Sequence, residues 1–201
     1  LFNFFLMIRE KKRVALISVF AAIFLTGFKL VIGILTGSLG ILSEALHSGL
    51  DLVAAVITFF SVRVSDKPAD REHNFGHGKI ENFSAFIETI LLVITCVWII
   101  YEAVGRLASG KTHIEVTVWS YIVVISSIII DISRSRALSK VAKKYNSQAL
   151  EADALHFSSD MWSSLGVLGG LAAVWAGIPA ADSIAALVVS VFIAYAGWRL
   201  G

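Results

Sequence analysis

Val14 to Leu35 reads VALISVFAAIFLTGFKLVIGIL, an apolar run of 22 residues whose one charge is Lys29. A helix rises 1.5 Å per residue, so this run covers about 33 Å and can cross a hydrocarbon core of about 30 Å. The same reading extends along the chain. Thr36, Gly37 and Ser38 form a turn, and Leu39–Val64 is a second span, interrupted by Glu44, His47, Asp51 and Arg63. After a polar loop, spans are expected at Ile80–Leu107, Val116–Ile132, Ala149–Ala176 and Ala180–Leu200. The expected fold is an all-α membrane protein of six transmembrane helices, forming one transmembrane domain over residues 1–201.

Lys and Arg near span ends stay preferentially on the cytoplasmic side. Six alternating crossings put Arg9, Lys11, Lys12, Arg13, Arg63, Lys67, Arg71, Lys79, Arg134, Arg136, Lys140, Lys143, Lys144 and Arg199 at one set of ends, and only Arg106 and Lys111 at the other. Both termini are therefore expected in the cytoplasm. Trp119 and Trp175 fall near the outer ends and Tyr145 and Trp198 near the inner ends, where aromatic anchors belong. The first run is too long for a signal-peptide core, so no secretory leader is read.

Composition agrees. Of the 201 residues 57% are hydrophobic and 16% charged, with a mean hydropathy of +0.79, against about 25% charged in soluble domains. A water-soluble globule is excluded. A net charge of +2 gives no ground for a nucleic-acid partner. The single Cys96 rules out an internal disulfide framework or a cysteine-rich zinc site and is read as a packing residue. The start at Leu1 and the stop at Gly201 read as a piece of a longer chain.

Ionisable groups inside a span cost at least about 2.5 kcal/mol each near the centre, so they default to functional positions. Two spans hold matched sets: His47 and Asp51 in the second, His156 and Asp160 in the fifth. A spacing of four stacks each pair on one helix face. Both carboxylates fall near mid-span, and the two helices run in opposite directions, so four side chains can meet in one layer. Two imidazoles and two carboxylates make a tetrahedral set for a divalent ion such as zinc. The absence of thiolate argues against copper(I), and the absence of an oxygen-only cage against magnesium and calcium.

The stretch from Ser38 to Asp51, SLGILSEALHSGLD, together with Ala149 to His156, ALEADALH, ending at Asp160, resembles the cation diffusion facilitator family across all six spans. The resemblance implies a homodimeric exporter of zinc or a related divalent ion (cadmium, iron, cobalt or manganese) from the cytoplasm in exchange for protons, with His47, Asp51, His156 and Asp160 as the transport site. It implies a multi-pass protein of the bacterial cytoplasmic membrane. His47 is similar to the zinc-selective branch. Glu44 stands where Asp is commoner, and the family's cytoplasmic ferredoxin-like domain is not in this chain.

The loop Asp66–Lys79 carries Asp70, His73 and His77. These three can gather round one ion, the histidines four apart if the loop is locally helical, and similar residues form a second, cytoplasmic metal site in part of the family. Glu81 is read as an interfacial carboxylate. Gly105–Thr112 matches GxxxxGKT letter for letter, but no strand precedes it and it lies on the outer side, so nucleotide binding is rejected. Without an ATPase module the driving force is an ion gradient. No companion nucleophile accompanies either HxxxD, so an enzyme is not expected. The alternatives are a membrane-embedded metal sensor and a metal channel without proton coupling. Glu88, Glu102, Asp131, Glu151, Asp153 and Asp182 are expected to pair with Lys29, Arg106 or Arg134, or to face water.

Overall fold

The computed structural model describes residues 2–37, 39–109 and 118–175, together with Ile184, Leu187, Val188, Ser190, Val191, Ala194 and Tyr195. Among the described residues five helices follow one another: α1 (Phe2–Thr36), α2 (Leu39–Ser65), α3 (Lys79–Ser109), α4 (Val118–Tyr145) and α5 (Gln148–Trp175). Four are long and apolar enough to cross a membrane, over Phe5–Thr36, Glu44–Ser65, Lys79–Gly105 and Val118–Tyr145. The expected fifth span falls on a helix, α5, that is not among these four; its first half carries Glu151, Asp153, His156 and Asp160, which dilute its hydropathy. The expected sixth span, Ala180–Leu200, lies outside the continuously described residues.

Two helices run well past the apolar runs that reveal them. α1 begins twelve residues before Val14, and α4 continues thirteen residues beyond Ile132. Neither extension contains Pro or Gly, and a helix continues until something breaks it. At the far end of α4 the breaker is Asn146, in the left-handed region at φ +50°. The Ser147 N–H then donates to the Ala142 carbonyl at 3.1 Å, the six-to-one bond of a Schellman ending. Ser147 in turn opens α5.

The helices pack α1 on α2 and α4, and α5 on α4, α3 and α2. α1 and α2 form a hairpin through Gly37, whose φ of +66° suits the turn. One turn earlier, Gly33 faces Leu42 so closely that an added Cβ would stand 2.8 Å from Leu42 Cδ2. The small residue lets the two backbones approach.

The main core joins Val14, Ala15 and Ala22 of α1 to Ala55 and Val62 of α2, Leu138 and Ala142 of α4, and Leu150, Ala154 and Phe157 of α5. Large apolar side chains such as Phe20, Phe24, Ile34, Phe60, Phe83, Trp98 and Ile129 face outward. In water such a surface is a liability; in lipid it is the solvated face. Basic residues gather at one end of the bundle, where Lys144 Nζ lies 2.7 Å from Glu10 and Lys11 reaches both Asp66 and Glu81.

Candidate metal centre

α2 and α5 meet where each carries its HxxxD. His47 Nε2 lies 3.7 Å from Asp160 Oδ1, and His156 Nε2 lies 3.2 Å from Asp51 Oδ1. The first residue of one pair thus faces the second of the other, as two antiparallel helices require. Within each helix the i,i+4 partners complete the ring, His47 to Asp51 at 3.9 Å and His156 to Asp160 at 3.5 Å. In a tetrahedron of 2.0–2.2 Å metal–ligand bonds, adjacent donors stand about 3.3–3.6 Å apart. The two His156 separations lie near that edge and the two His47 separations exceed it, and Asp160 faces His47 with Oδ1 but His156 with Oδ2.

The four residues are not equivalent. His47, Asp51 and Asp160 each offer one ligand atom within 4.8 Å of the others. His156 joins through the two carboxylates, and its ring stands edge-on to Phe157. It is buried, whereas the His47 side chain keeps 35% of its surface exposed. His156 Nδ1 and Asp160 Oδ2 are buried without a hydrogen-bond partner. Two carboxylates collected inside a bundle are expensive without a cation, which makes this layer a place where positive charge belongs.

The carboxylates around this layer follow the sequence expectation only in part. Asp131 does face Arg134, at 3.5 Å. Lys29 instead takes Glu44 at 3.1 Å and the Ser48 hydroxyl at 2.8 Å. Glu88 neither pairs with one of the named cations nor faces water: it is buried in α3, accepts a hydrogen bond from Thr58 Oγ1 at 2.7 Å, and lies within electrostatic reach of His156, Asp160 and Asp51. Asp153 is likewise buried and accepts from Ser18 at 3.4 Å, while Ser18 Oγ accepts from Arg134 Nε and Nη2 at 3.2 and 3.1 Å. The Arg134 guanidinium sits 3.3 Å over the Phe157 ring. The sequence signal for these groups was periodicity: Asp153 precedes His156 by one turn, and Glu88 follows the buried Glu81 by two. Side chains of Glu102 and Arg106 and all of Asp182 lie outside the described residues.

Asp70, His73 and His77 also come together, but not by a helical spacing. The segment from Asp66 to Gly78 is turns and bends. Asp70 Oδ1 accepts the backbone N–H of His73 at 2.7 Å and of Glu72 at 3.0 Å. Gly76, at φ +77°, returns its N–H to the His73 carbonyl at 2.9 Å. The two imidazoles thereby sit with centroids 4.3 Å apart. Asp70 reaches His73 Nδ1 at 3.1 Å and His77 Nε2 at 3.4 Å, and all three offer ligand atoms within 4.8 Å of one another. The His73 N–H bond, above all, holds the Asp70 carboxyl below its ordinary pKa, so its anionic form persists at neutral pH.

Glu81 is not part of that cluster. It accepts from Lys11 Nζ at 2.6 Å, from Ser65 at 2.9 Å and from Ser147 at 2.5 Å, buried in the first turn of α3. Cys96 packs beside Leu92, and its thiol donates to the Ser190 carbonyl at 3.2 Å. Gly105–Ser109 of the GxxxxGKT match is the end of α3, with no strand before it, and the rest of that match and His113 are outside the described residues.

Residues 15–201 match the family described as Cation efflux transmembrane domain. Among curated proteins the chain is 36% identical over 175 residues to a magnetosome protein MamB of Magnetospira sp. (strain QH-2), covering 87% of this chain and 59% of that protein. It is 35% identical over 180 residues to MamB of Magnetospirillum gryphiswaldense, covering 90% and 60%. With the cation-efflux pump FieF of Pectobacterium atrosepticum it shares 34% over 168 residues, covering 83% and 55%. The chain thus spans about three fifths of the length of these relatives.

Proposed function

The chain belongs to the cation diffusion facilitator family, an integral membrane family, and from that premise we propose that it is the membrane part of a secondary transporter that exports zinc or a related divalent cation from the cytoplasm in exchange for protons. The observation that carries this reading is the crossing of α2 and α5, where His47, Asp51, His156 and Asp160 face one another in reciprocal pairs. The name of the FieF relative supports cation efflux. The bacterial relatives support a place in a bacterial cytoplasmic membrane, and the resemblance supports a homodimer of six-span subunits with both termini in the cytoplasm. The loop cluster of Asp70, His73 and His77 is proposed as a second cation position on the cytoplasmic side, used for preloading or regulation.

The chemistry of exchange follows from charge. Two ionised carboxylates give the layer a charge of −2, and either one dication with neutral imidazoles or two protonated imidazoles restores neutrality. Metal and protons therefore compete for the same groups. Imidazole titrates near 6.5, within the range that separates cytoplasm from a more acidic exterior. Zinc bound from the cytoplasm is released where protons are more abundant, as the site is exposed to each side in turn.

The test is transport by the purified chain in proteoliposomes with a zinc dye and a pH dye on opposite sides. Zinc movement coupled to opposing proton movement, accelerated by an imposed pH gradient, is expected. Zinc movement that ignored the gradient would refute coupling, and rates far above a carrier's would mark a channel. Binding without flux would mark a sensor.

A further inference from the structure

His77 is the buried member of the loop cluster. Its side chain is 9% exposed, against 51% for His73 and 54% for Asp70. Its Nε2 faces Asp70, and its Nδ1 is buried without a hydrogen-bond partner. A cation held among Asp70, His73 and His77 meets His77 at Nε2, which puts the ring proton on Nδ1. That proton needs an acceptor.

One carboxylate with a spare oxygen lies on the same cleft, outside hydrogen-bond distance of Nδ1 as the loop stands. Asp66 and His77 line the same cleft of about 470 Å³, between the end of α2, the loop and Met7 of α1. Asp66 uses Oδ1 on Lys11 Nζ at 2.9 Å, while its Oδ2 is buried with no partner. A buried orphan acceptor and a buried orphan ring nitrogen bordering one cleft are complementary in chemistry.

We propose that Asp66 is the positioning residue of the loop site: its Oδ2 accepts the Nδ1 proton of metal-bound His77, fixing the tautomer and the ring. This rests on the reading of Asp70, His73 and His77 as a cation site. It also gives that site a route into the bundle. Asp66 shares Lys11 with Glu81, and Glu81 holds Ser65 at the end of α2 and Ser147 at the start of α5. A cation on the loop draws Asp66 towards His77 and loosens its hold on Lys11, so loop occupancy is felt where α1, α2, α3 and α5 are pinned together.

The experiment uses the full chain in detergent with Asp51→Ala and Asp160→Ala, which leaves the loop as the one proposed site, titrated calorimetrically with Zn²⁺. One zinc per chain is expected, and adding Asp66→Asn should weaken it by about 10- to 100-fold, the usual effect of removing such an outer carboxylate. Lys11→Gln breaks the ion pair yet keeps Asp66, and should leave affinity the same or raise it. Zinc binding that Asp66→Asn changes less than twofold overturns the positioning role while sparing the loop site. A tenfold loss with Lys11→Gln shows that Asp66 acts only through the ion pair, which also overturns it. No zinc uptake in the Asp51→Ala, Asp160→Ala background overturns the loop reading itself. With the α2–α5 site intact, zinc binding there in the Asp66→Asn chain checks folding; if that variant is unfolded, Asp66→Glu takes its place and should retain affinity within about threefold, a tenfold loss overturning the proposal.

Discussion

Asp51→Ala removes the carboxylate of the α2–α5 layer that faces both histidines through a single oxygen. Its Oδ1 lies 3.2 Å from His156 Nε2 and 3.9 Å from His47 Nε2, so two of the four donor–donor edges around the proposed site pass through one atom. Without it, three ligands remain and the site's charge falls from −2 to −1. Altering a group that merely orients a ligand costs about 10- to 100-fold in metal affinity, so losing a first-sphere anion must cost more than about 100-fold, or about 2.8 kcal/mol at about 1.4 kcal/mol per decade. The fold should survive. Asp160 still lies within 3.7 Å of both histidines, so each imidazole keeps one carboxylate neighbour, and deleting a buried anion relieves a desolvation cost. Calorimetric zinc titration of the chain with the loop histidines changed to Ala isolates this site, and proteoliposome uptake follows its consequence. Affinity within threefold of the parent, or persistent flux, would refute the assignment of Asp51 as a ligand.

Three further outcomes are expected. His47→Asp replaces a borderline nitrogen with a hard oxygen on the more exposed side of the layer, so discrimination of zinc from manganese or cadmium should loosen in competition transport assays; unchanged preference would place His47 outside the first sphere. Glu81→Ala takes away Lys11's 2.6 Å partner and two hydroxyl bonds; since Lys11 keeps Asp66, the loss should fall near the low end of what breaking a buried pair costs, about 3 kcal/mol, seen as a drop of several degrees in thermal unfolding in detergent. The Asp70 carboxyl, held below its ordinary pKa by the His73 and Glu72 amides, stabilises the loop turn above the unfolded value near 3.9, and that contribution is lost as pH falls through the lower folded value. The turn should stay ordered from neutrality down to about pH 4 and open below it, as read from amide exchange at His73.

The five described helices and the two pairs that meet between α2 and α5 are legible in the sequence because both depend on local spacing. Twenty apolar residues have one way to satisfy their backbone in lipid, and residues four apart share a helix face whatever the rest of the chain does. The loop cluster was legible by residue type but for the wrong reason. Its histidines meet through the Asp70 cap and the left-handed Gly76, and a spacing of four there carries no geometric meaning. The helices outrun the expected spans for a related cause: hydropathy marks where lipid begins, whereas Asn146 and the absence of any earlier breaker decide where α4 ends.

What the sequence withheld is the partnering of charges far apart in the chain. Lys11 is one of four basic residues before the first apolar run, and nothing local separates it from Arg9, Lys12 or Arg13. Only the approach of α1 to the α2 end and to α3 makes it the buried cation between Asp66 and Glu81. Glu88 and Asp153 are similar: both lie inside apolar surroundings, and each keeps one oxygen without a partner. Such groups cost stability, and a bundle that also keeps Arg134 buried on Ser18 and Phe157 spends it on the half of the molecule between the α2–α5 layer and the loop. A rigid apolar wall there would be more stable but could not readily admit a hydrated dication to His156 and Asp51. Polar groups held by hydroxyl partners would make that half the easier one to open, as the alternating exposure proposed above requires.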